Sequence, residues 1–331
     1  MKRTVHNVST ILTTILLACS TQAQTSENNA RLKDALQRYP EADDNKDGVL
    51  TKEEAQAFKK QLEAAKPAAP ITNEGEIKST YVYKTVGTHE LKLFVDVPKG
   101  HSAKAKVPAI VLFHGGGFRS GSEKQFEKQA AYLAERGMVA IRGLYRLTTQ
   151  QGVTIEDCIE DGISAIRWVR ANAEKLGVDP DRIAAGGGSA GGYLSAASLL
   201  LDSVHAKTDP PGVSAKPNAL VLFNPAFGKA NDGKSVDPRD PDGKGELIQY
   251  VKPDAKLPPM INFFGTEDPF LAVAQKFQAA YTKGGNRCEI VTYEGEGHSF
   301  FNKEKYYQLT IAEADKFLVG IGWLEKAAGS P

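Results

Sequence analysis

The chain has 331 residues, 41% of them hydrophobic and 24% charged, an ordinary globular composition with apolar material for a sizeable core. Its 41 Lys and Arg against 40 Asp and Glu leave a net charge of +1, which argues against a basic nucleic-acid footprint and against an acidic tail. The balance points to a small or neutral partner molecule, with no nucleic acid.

Residues 1–23 read as an export signal: Lys2 and Arg3 supply the positive end, and "ILTTILLA", Ile11 to Ala18, supplies an apolar segment too short to span a bilayer. Two processing routes stay open. "TQA" ending at Ala23 is acceptable to a signal peptidase, which gives a secreted or periplasmic protein. "LLAC" ending at Cys19 resembles a lipoprotein acylation box, which gives an outer-membrane lipoprotein held to the membrane through that cysteine. On either route the remaining thiols are Cys158 and Cys288, in different predicted elements, with pairing left open.

Residues 24–65 form the first organised unit. Leu32, Ala35, Leu36 and Tyr39 recur at helical spacing, as do Ala55, Phe58, Leu62 and Ala65. Between them lies "DDNKDGVLTKEE", which resembles an EF-hand loop at its diagnostic positions. The resemblance implies Ca2+ held by Asp43, Asn45 and Asp47, the Val49 carbonyl, Thr51 through water and both oxygens of Glu54, with Gly48 at the sharp turn. Thr51 and Glu54 also have capping-box spacing, so the competing reading is a solvated acidic helix cap. Pro40, where the entering helix should still run, and the lack of a second hand to pair with favour that competitor. Residues 66–76, "KPAAPITNEGE", read as a linker.

From 77 to 331 the chain alternates. "STYVYKTV" and "LKLFVDV" around "GTH" read as an antiparallel hairpin, and apolar runs recur at 107–113, 138–145, 182–186, 219–224 and 259–264. Helical stretches over 123–136 and 155–175 are long enough for crossovers, the second with a stripe of Ile155, Ile159, Ile163, Ile166 and Val169. The pattern predicts an α/β fold: a mainly parallel, doubly wound sheet opened by an antiparallel hairpin and preceded by a small helix-loop-helix.

At the end of the run "RIAA" stands "GGGSAGGY", with Ser189 between Gly187 and Gly191 in a G-x-S-x-G pattern. A sharp strand-to-helix turn lifts the central side chain above the sheet, and larger neighbours would collide with adjacent strands. Such turns also cradle phosphates, so the pentapeptide alone leaves nucleophile and phosphate cradle open. Upstream, "VPAIVLFHGGGF" ends a strand in His114 followed by Gly115, Gly116 and Gly117, glycines that let backbone amides converge on a developing oxyanion.

Together "HGGG" and "GGSAGG" resemble the hormone-sensitive-lipase-like branch of the α/β-hydrolases. That resemblance implies oxyanion donors at Gly116, Gly117 and Ala190. The family's G-x-x-D after the strand "PPMINFFGTEDPF" picks Asp268 over Glu267 as the orienting acid. His298, after "CEIVTYEGEG", is the general base expected for Ser189; His114 belongs to the oxyanion strand and is expected to organise that loop. "NRCEIVTYEGEGHSFFN" and the stretch from "DCIEDG" to "GGYLSA" are similar to bacterial secreted carbohydrate esterases, acetyl and feruloyl esterases among them. Residues 228–256 are polar and lack an apolar lid helix, which argues against a lipase. The reading is a secreted serine esterase for short acyl groups on a small-molecule or polysaccharide ester, with no cofactor for catalysis. A dienelactone-hydrolase-like or peptidase activity, and a noncatalytic calcium-dependent binding protein, are the alternatives.

Overall fold

The run Val107–Phe113 is apolar throughout, which suits a strand covered on both faces. In the computed structural model of the chain it lies inside an eight-stranded sheet. The structure describes residues 24–38, 42–64, 79–201, 204–228, 230 and 246–326. Residues 1–23, read above as an export signal and containing Cys19, lie outside these, as do Pro40, residues 66–76, read as a linker, and residues 231–245. The chain divides into two units, Met1–Glu63 and Ala64–Pro331.

In the first unit, α1 (Ala30–Arg38) and α2 (Lys52–Ala64) flank the acidic loop. Thr51 caps α2: the Glu54 amide donates to Thr51 Oγ1 at 3.2 Å and the Thr51 amide to Glu54 Oε2 at 2.9 Å, the reciprocal pair that the spacing predicts. Leu50 is fully buried, and its backbone is matched by Ser26, whose amide donates to the Leu50 carbonyl while its Oγ accepts the Leu50 amide. A bridge between Thr25 and Thr51 completes the pairing. Residues 25 and 26 thus pair with the loop along Leu50 and Thr51.

In the second unit the hairpin is β1 (Thr80–Val86) and β2 (His89–Asp96), closed by Gly87 and Thr88 alone, so His89 opens the second strand. The remaining strands are β3 (Val107–Phe113), β4 (Val139–Gly143), β5 (Val178–Gly188), β6 (Ala219–Phe223), β7 (Met260–Gly265) and β8 (Cys288–Tyr293). Their order is β1-β2-β4-β3-β5-β6-β7-β8, antiparallel from β1 to β4 and parallel thereafter. The parallel strands therefore end along one edge.

Alternate residues of β3 face opposite cores. Ala109, Val111 and Phe113 join α4 (Ile155–Ala171), α6 (Ala190–Leu200) and α7 (Leu271–Lys283). Ile110 and Leu112 join α3 (Glu127–Glu135) and α8 (Glu304–Gly320). The predicted stripe on α4 is buried throughout, Ile163 and Ile166 completely. The helical stretch 155–175 breaks at Asn172, whose side chain donates to the Trp168 carbonyl at 2.8 Å and so competes with the helix ladder; α5 (Ala173–Leu176) follows. Cys158, on α4, and Cys288, on β8, are both free and buried. Burial pushes each thiol up to about 12.

Candidate active site

Strand β5 ends at Gly188 and α6 begins at Ala190, leaving Ser189 on the turn at φ 50° and ψ −115°. A left-handed φ on a non-glycine residue costs on the order of 1–3 kcal/mol and persists only where the surroundings over-determine it. Here the Ser189 amide is tied to the Phe223 carbonyl at 3.0 Å. A Cβ on Gly191 would strike the carbonyl oxygens of Phe113 and His114, and one on Gly187 would strike that of Phe113 and the Gly191 backbone. The turn fits only because both flanks lack side chains, for the steric reason given by the sequence pattern.

His298 follows β8, and its Nε2 lies 2.8 Å from Ser189 Oγ. Its Nδ1 lies 2.9 Å from Asp268 Oδ2, and Asp268 Oδ1 accepts the Phe270 amide at 2.9 Å. With the carboxylate on Nδ1, that nitrogen carries the proton and Nε2 keeps a lone pair toward the serine. The Asp268 side chain is buried whereas that of His298 is 27% exposed, so the serine–imidazole pair is reachable from solvent. Glu267, the neighbouring carboxyl group, is exposed.

The glycine loop after β3 lies against the same turn, since a Cβ on Gly115 would come within 3.3 Å of Ser189 Cβ. Gly116 and Gly117 adopt φ 111° and 61°. Among the described residues none accepts the amide hydrogens of Gly116, Gly117 or Ala190. His114 is buried, its Nδ1 2.8 Å from the Gly115 carbonyl and its ring stacked on Tyr145 at 4.3 Å. Tyr145 in turn donates its hydroxyl to the His114 carbonyl at 2.7 Å. His114 thus braces the loop, and burial lowers its pKa below the usual imidazole value.

Three contributors were not visible as such in the sequence. Gln125 accepts the Gly115 amide at 2.7 Å; Tyr145 carries the stacked His114; and Asn224, just beyond β6, places its Nδ2 3.2 Å from Asp268 Oδ2. The first two stand in unremarkable helical and loop contexts. Asn224 reads simply as the end of an apolar run.

In the acidic loop, Asp43 is buried, its Oδ2 accepting the Gly48 amide at 2.8 Å. Asn45 accepts from the Asp47 amide and Asp47 from the Val49 amide. Glu54 is turned onto Thr51, whose hydroxyl and amide lower its pKa. Among the described residues no three His, Cys, Asp or Glu side chains converge as a metal-holding group.

A twisted, mainly parallel sheet with a serine on the strand-to-helix turn at its carboxyl edge is the α/β-hydrolase fold. The BD-FAE family model matches residues 95–211. Esterase 2 of Thermogutta terrifontis, solved in a tabun-phosphoramylated form, is 38% identical over 79% of this chain and 100% of that one, with a TM-score of 0.70; it has also been solved with propionate and with butyrate bound. Carboxylesterase NlhH of Mycobacterium tuberculosis is 36% identical over 29% of this chain and 30% of that protein. Versiconal hemiacetal acetate esterase of Dothistroma septosporum is 27% identical over 67% of this chain and 74% of its own. The first curated relatives are matched over only about three tenths of their length, whereas the Thermogutta enzyme is matched throughout. The chain belongs to the carboxylic ester hydrolases of the α/β-hydrolase family.

Proposed function

We propose that this chain is an exported serine esterase that removes short acyl groups, acetyl or feruloyl, from carbohydrate esters. Ser189 Oγ attacks the ester carbonyl while His298 Nε2 takes its proton. The oxyanion of the tetrahedral intermediate accepts hydrogen bonds from the amides of Gly116, Gly117 and Ala190. His298 then returns the proton to the departing alcohol, leaving an acyl-serine, and the same cycle with water releases the acid. Asp268 holds the imidazole in its productive tautomer and stabilises the imidazolium.

The observation that carries this reading is the 2.8 Å approach of His298 Nε2 to a serine held on a strained turn. Support for a short acyl group comes from the propionate and butyrate bound to the similar Thermogutta esterase and from the acetate ester in the name of the Dothistroma relative. Support for a carbohydrate alcohol rests on the sequence resemblance given above. The test is a panel of acetylated xylan, feruloyl esters and p-nitrophenyl esters of rising chain length. Acetyl to butyryl esters should exceed those of about ten carbons in kcat/KM, since a longer acyl chain needs an apolar channel to bury its extra methylenes. Strong activation by emulsified triglyceride, or turnover confined to peptides or lactones, would overturn it. Export is tested by the mature N-terminus of the protein from its own host: cleavage after Ala23 marks the secreted form, an acylated Cys19 the lipoprotein, and an intact Met1 refutes both.

A second reading concerns the acidic loop, for which we propose Ca2+ bound by Asp43, Asn45, Asp47, the Val49 carbonyl, Thr51 through water, and Glu54. Its support is a single atom: Asp43 Oδ1 is buried with no hydrogen-bond partner among the described residues, while Oδ2 of the same carboxylate is satisfied by Gly48. A buried carboxylate oxygen left unpaired is costly without a cation to meet it. Glu54 would have to leave Thr51 to complete the shell. Isothermal calorimetry should register Ca2+ binding by the wild type and markedly weaker binding by Glu54→Gln, with ester turnover unchanged by chelator. Absence of binding heat reduces the loop to a helix cap, and loss of turnover on chelation ties the ion to the catalytic unit.

A further inference from the structure

Asn224 lies immediately beyond β6, fully buried, at φ 38°. Its amide is fixed by the Phe263 carbonyl at 2.8 Å, which holds the side chain at the mouth of β6 and β7. Nδ2 is 3.2 Å from Asp268 Oδ2 and 3.0 Å from His298 Nδ1. The amide is oriented with Nδ2 toward the carboxylate, because an Oδ1 turned to it would set acceptor against acceptor; with Nδ1 protonated, the 3.0 Å approach of Nδ2 to Nδ1 is a contact of two donors and not a hydrogen bond between them. Nδ2 and Nδ1 therefore both aim a hydrogen at the same Asp268 oxygen. Asn224 Oδ1 is left buried with no partner among the described residues. Left-handed backbone and an unsatisfied buried oxygen both work against stability, and their coincidence beside a reacting histidine is a reason to look for function.

We propose that Asn224 is a positioning residue of the ester-hydrolysing site, acting on His298 through Asp268: it anchors the carboxylate oxygen that accepts the His298 Nδ1 hydrogen. This rests on the assignment of Ser189, His298 and Asp268 made above. The Phe270 amide holds Oδ1 of Asp268 and Asn224 holds Oδ2, so the carboxylate cannot rotate away from the imidazole. The arrangement can be exchanged without losing a hydrogen bond. With an acid placed at 224 and an amide at 268, the new carboxylate accepts the His298 Nδ1 hydrogen. The amide oxygen at 268 would then accept the Phe270 amide, and the amide nitrogen beside it would donate to the carboxylate at 224. An amide at 224 in the native chain, in place of a second carboxylate, keeps a single negative charge against the histidine.

Steady-state hydrolysis of p-nitrophenyl acetate is measured for Asn224→Leu, Asp268→Asn, the double variant Asn224→Asp with Asp268→Asn, and Ser189→Ala, each checked for a native melting transition. Asn224→Leu should lower kcat about tenfold with KM changed less than about twofold, because positioning of the base acts on the chemical step. Asp268→Asn should lose on the order of a thousandfold or more through the wrong tautomer, and the double variant should recover at least about tenfold over it. A double variant no better than Asp268→Asn, or an Asn224→Leu protein with wild-type kcat, overturns the proposal. Should Asn224→Leu fail to melt cooperatively, the double variant decides alone, since it alters only amide and acid groups. Full activity in Ser189→Ala would instead sink the assignment on which the proposal rests, and so is told apart from failure of Asn224 itself.

Discussion

His114 and His298 are the two histidines of the site, and their surroundings divide the work between them. His298 is partly exposed and hydrogen-bonded to both a serine and a carboxylate, whereas His114 is buried against Tyr145 and a carbonyl. Burial depresses the pKa of His114 in the folded chain below its ordinary value of about 6.5, so between those two values the unfolded chain binds more protons. Its contribution to stability is complete above about 6.5 and is lost as the pH falls through the depressed folded value. Urea unfolding between about pH 8 and 5 should therefore show a steeper loss of stability in the wild type than in His114→Asn; equal slopes would contradict the buried neutral imidazole. The serine, the base and the glycine loop were legible in the sequence because each stands in a motif whose spacing has a steric or electrostatic cause. Asn224 was not, since its function depends on β6 and β7 lying side by side, a non-local fact. The choice of Asp268 over Glu267 came only from the family habit; in the fold Asp268 is buried 2.9 Å from His298 Nδ1 and Glu267 is exposed.

The turn between β5 and α6 is where local backbone and global packing meet. Gly191 places α6 against the carbonyls that end β3, so the serine turn and the glycine loop are held at a fixed separation. Gly191→Ala should destabilise the protein by about 1–3 kcal/mol through overpacking. It should also reduce kcat more than KM, because the displaced turn carries the serine; a variant with native stability and activity would show that the contact is slack. Strand positions and the buried face of α4 were readable from periodicity alone. The charged groups beneath them were not. Lys84 of β1 lies 2.7 Å from Asp161 of α4, and Arg146, just beyond β4, lies 2.6 Å from the same carboxylate, a buried network that ties the hairpin to the crossover helix. Each of these residues, read singly, resembles a solvated charge, and only the folded arrangement makes them partners. The break at Asn172 escaped for a similar reason, since helical periodicity continues across it.

The molecule has two units, and their chemistry is separable in the sequence. Ser189, His298 and Asp268 all lie in the unit Ala64–Pro331, while the unit ending at Glu63 carries the acidic loop. Composition left a neutral, small-molecule partner as the expectation, in keeping with the carboxylesterases that the chain resembles. The alcohol and acyl groups were not legible, because specificity resides in the shape of the cleft walls and not in a motif. Everything ascribed to the catalytic unit depends on Ser189 being the nucleophile, and hydrolysis of p-nitrophenyl acetate by Ser189→Ala beside the wild type tests that directly. A folded variant should lose at least several thousandfold in kcat, on the order seen when a catalytic serine is removed from such a triad. Turnover by Ser189→Ala at the wild-type rate would contradict it.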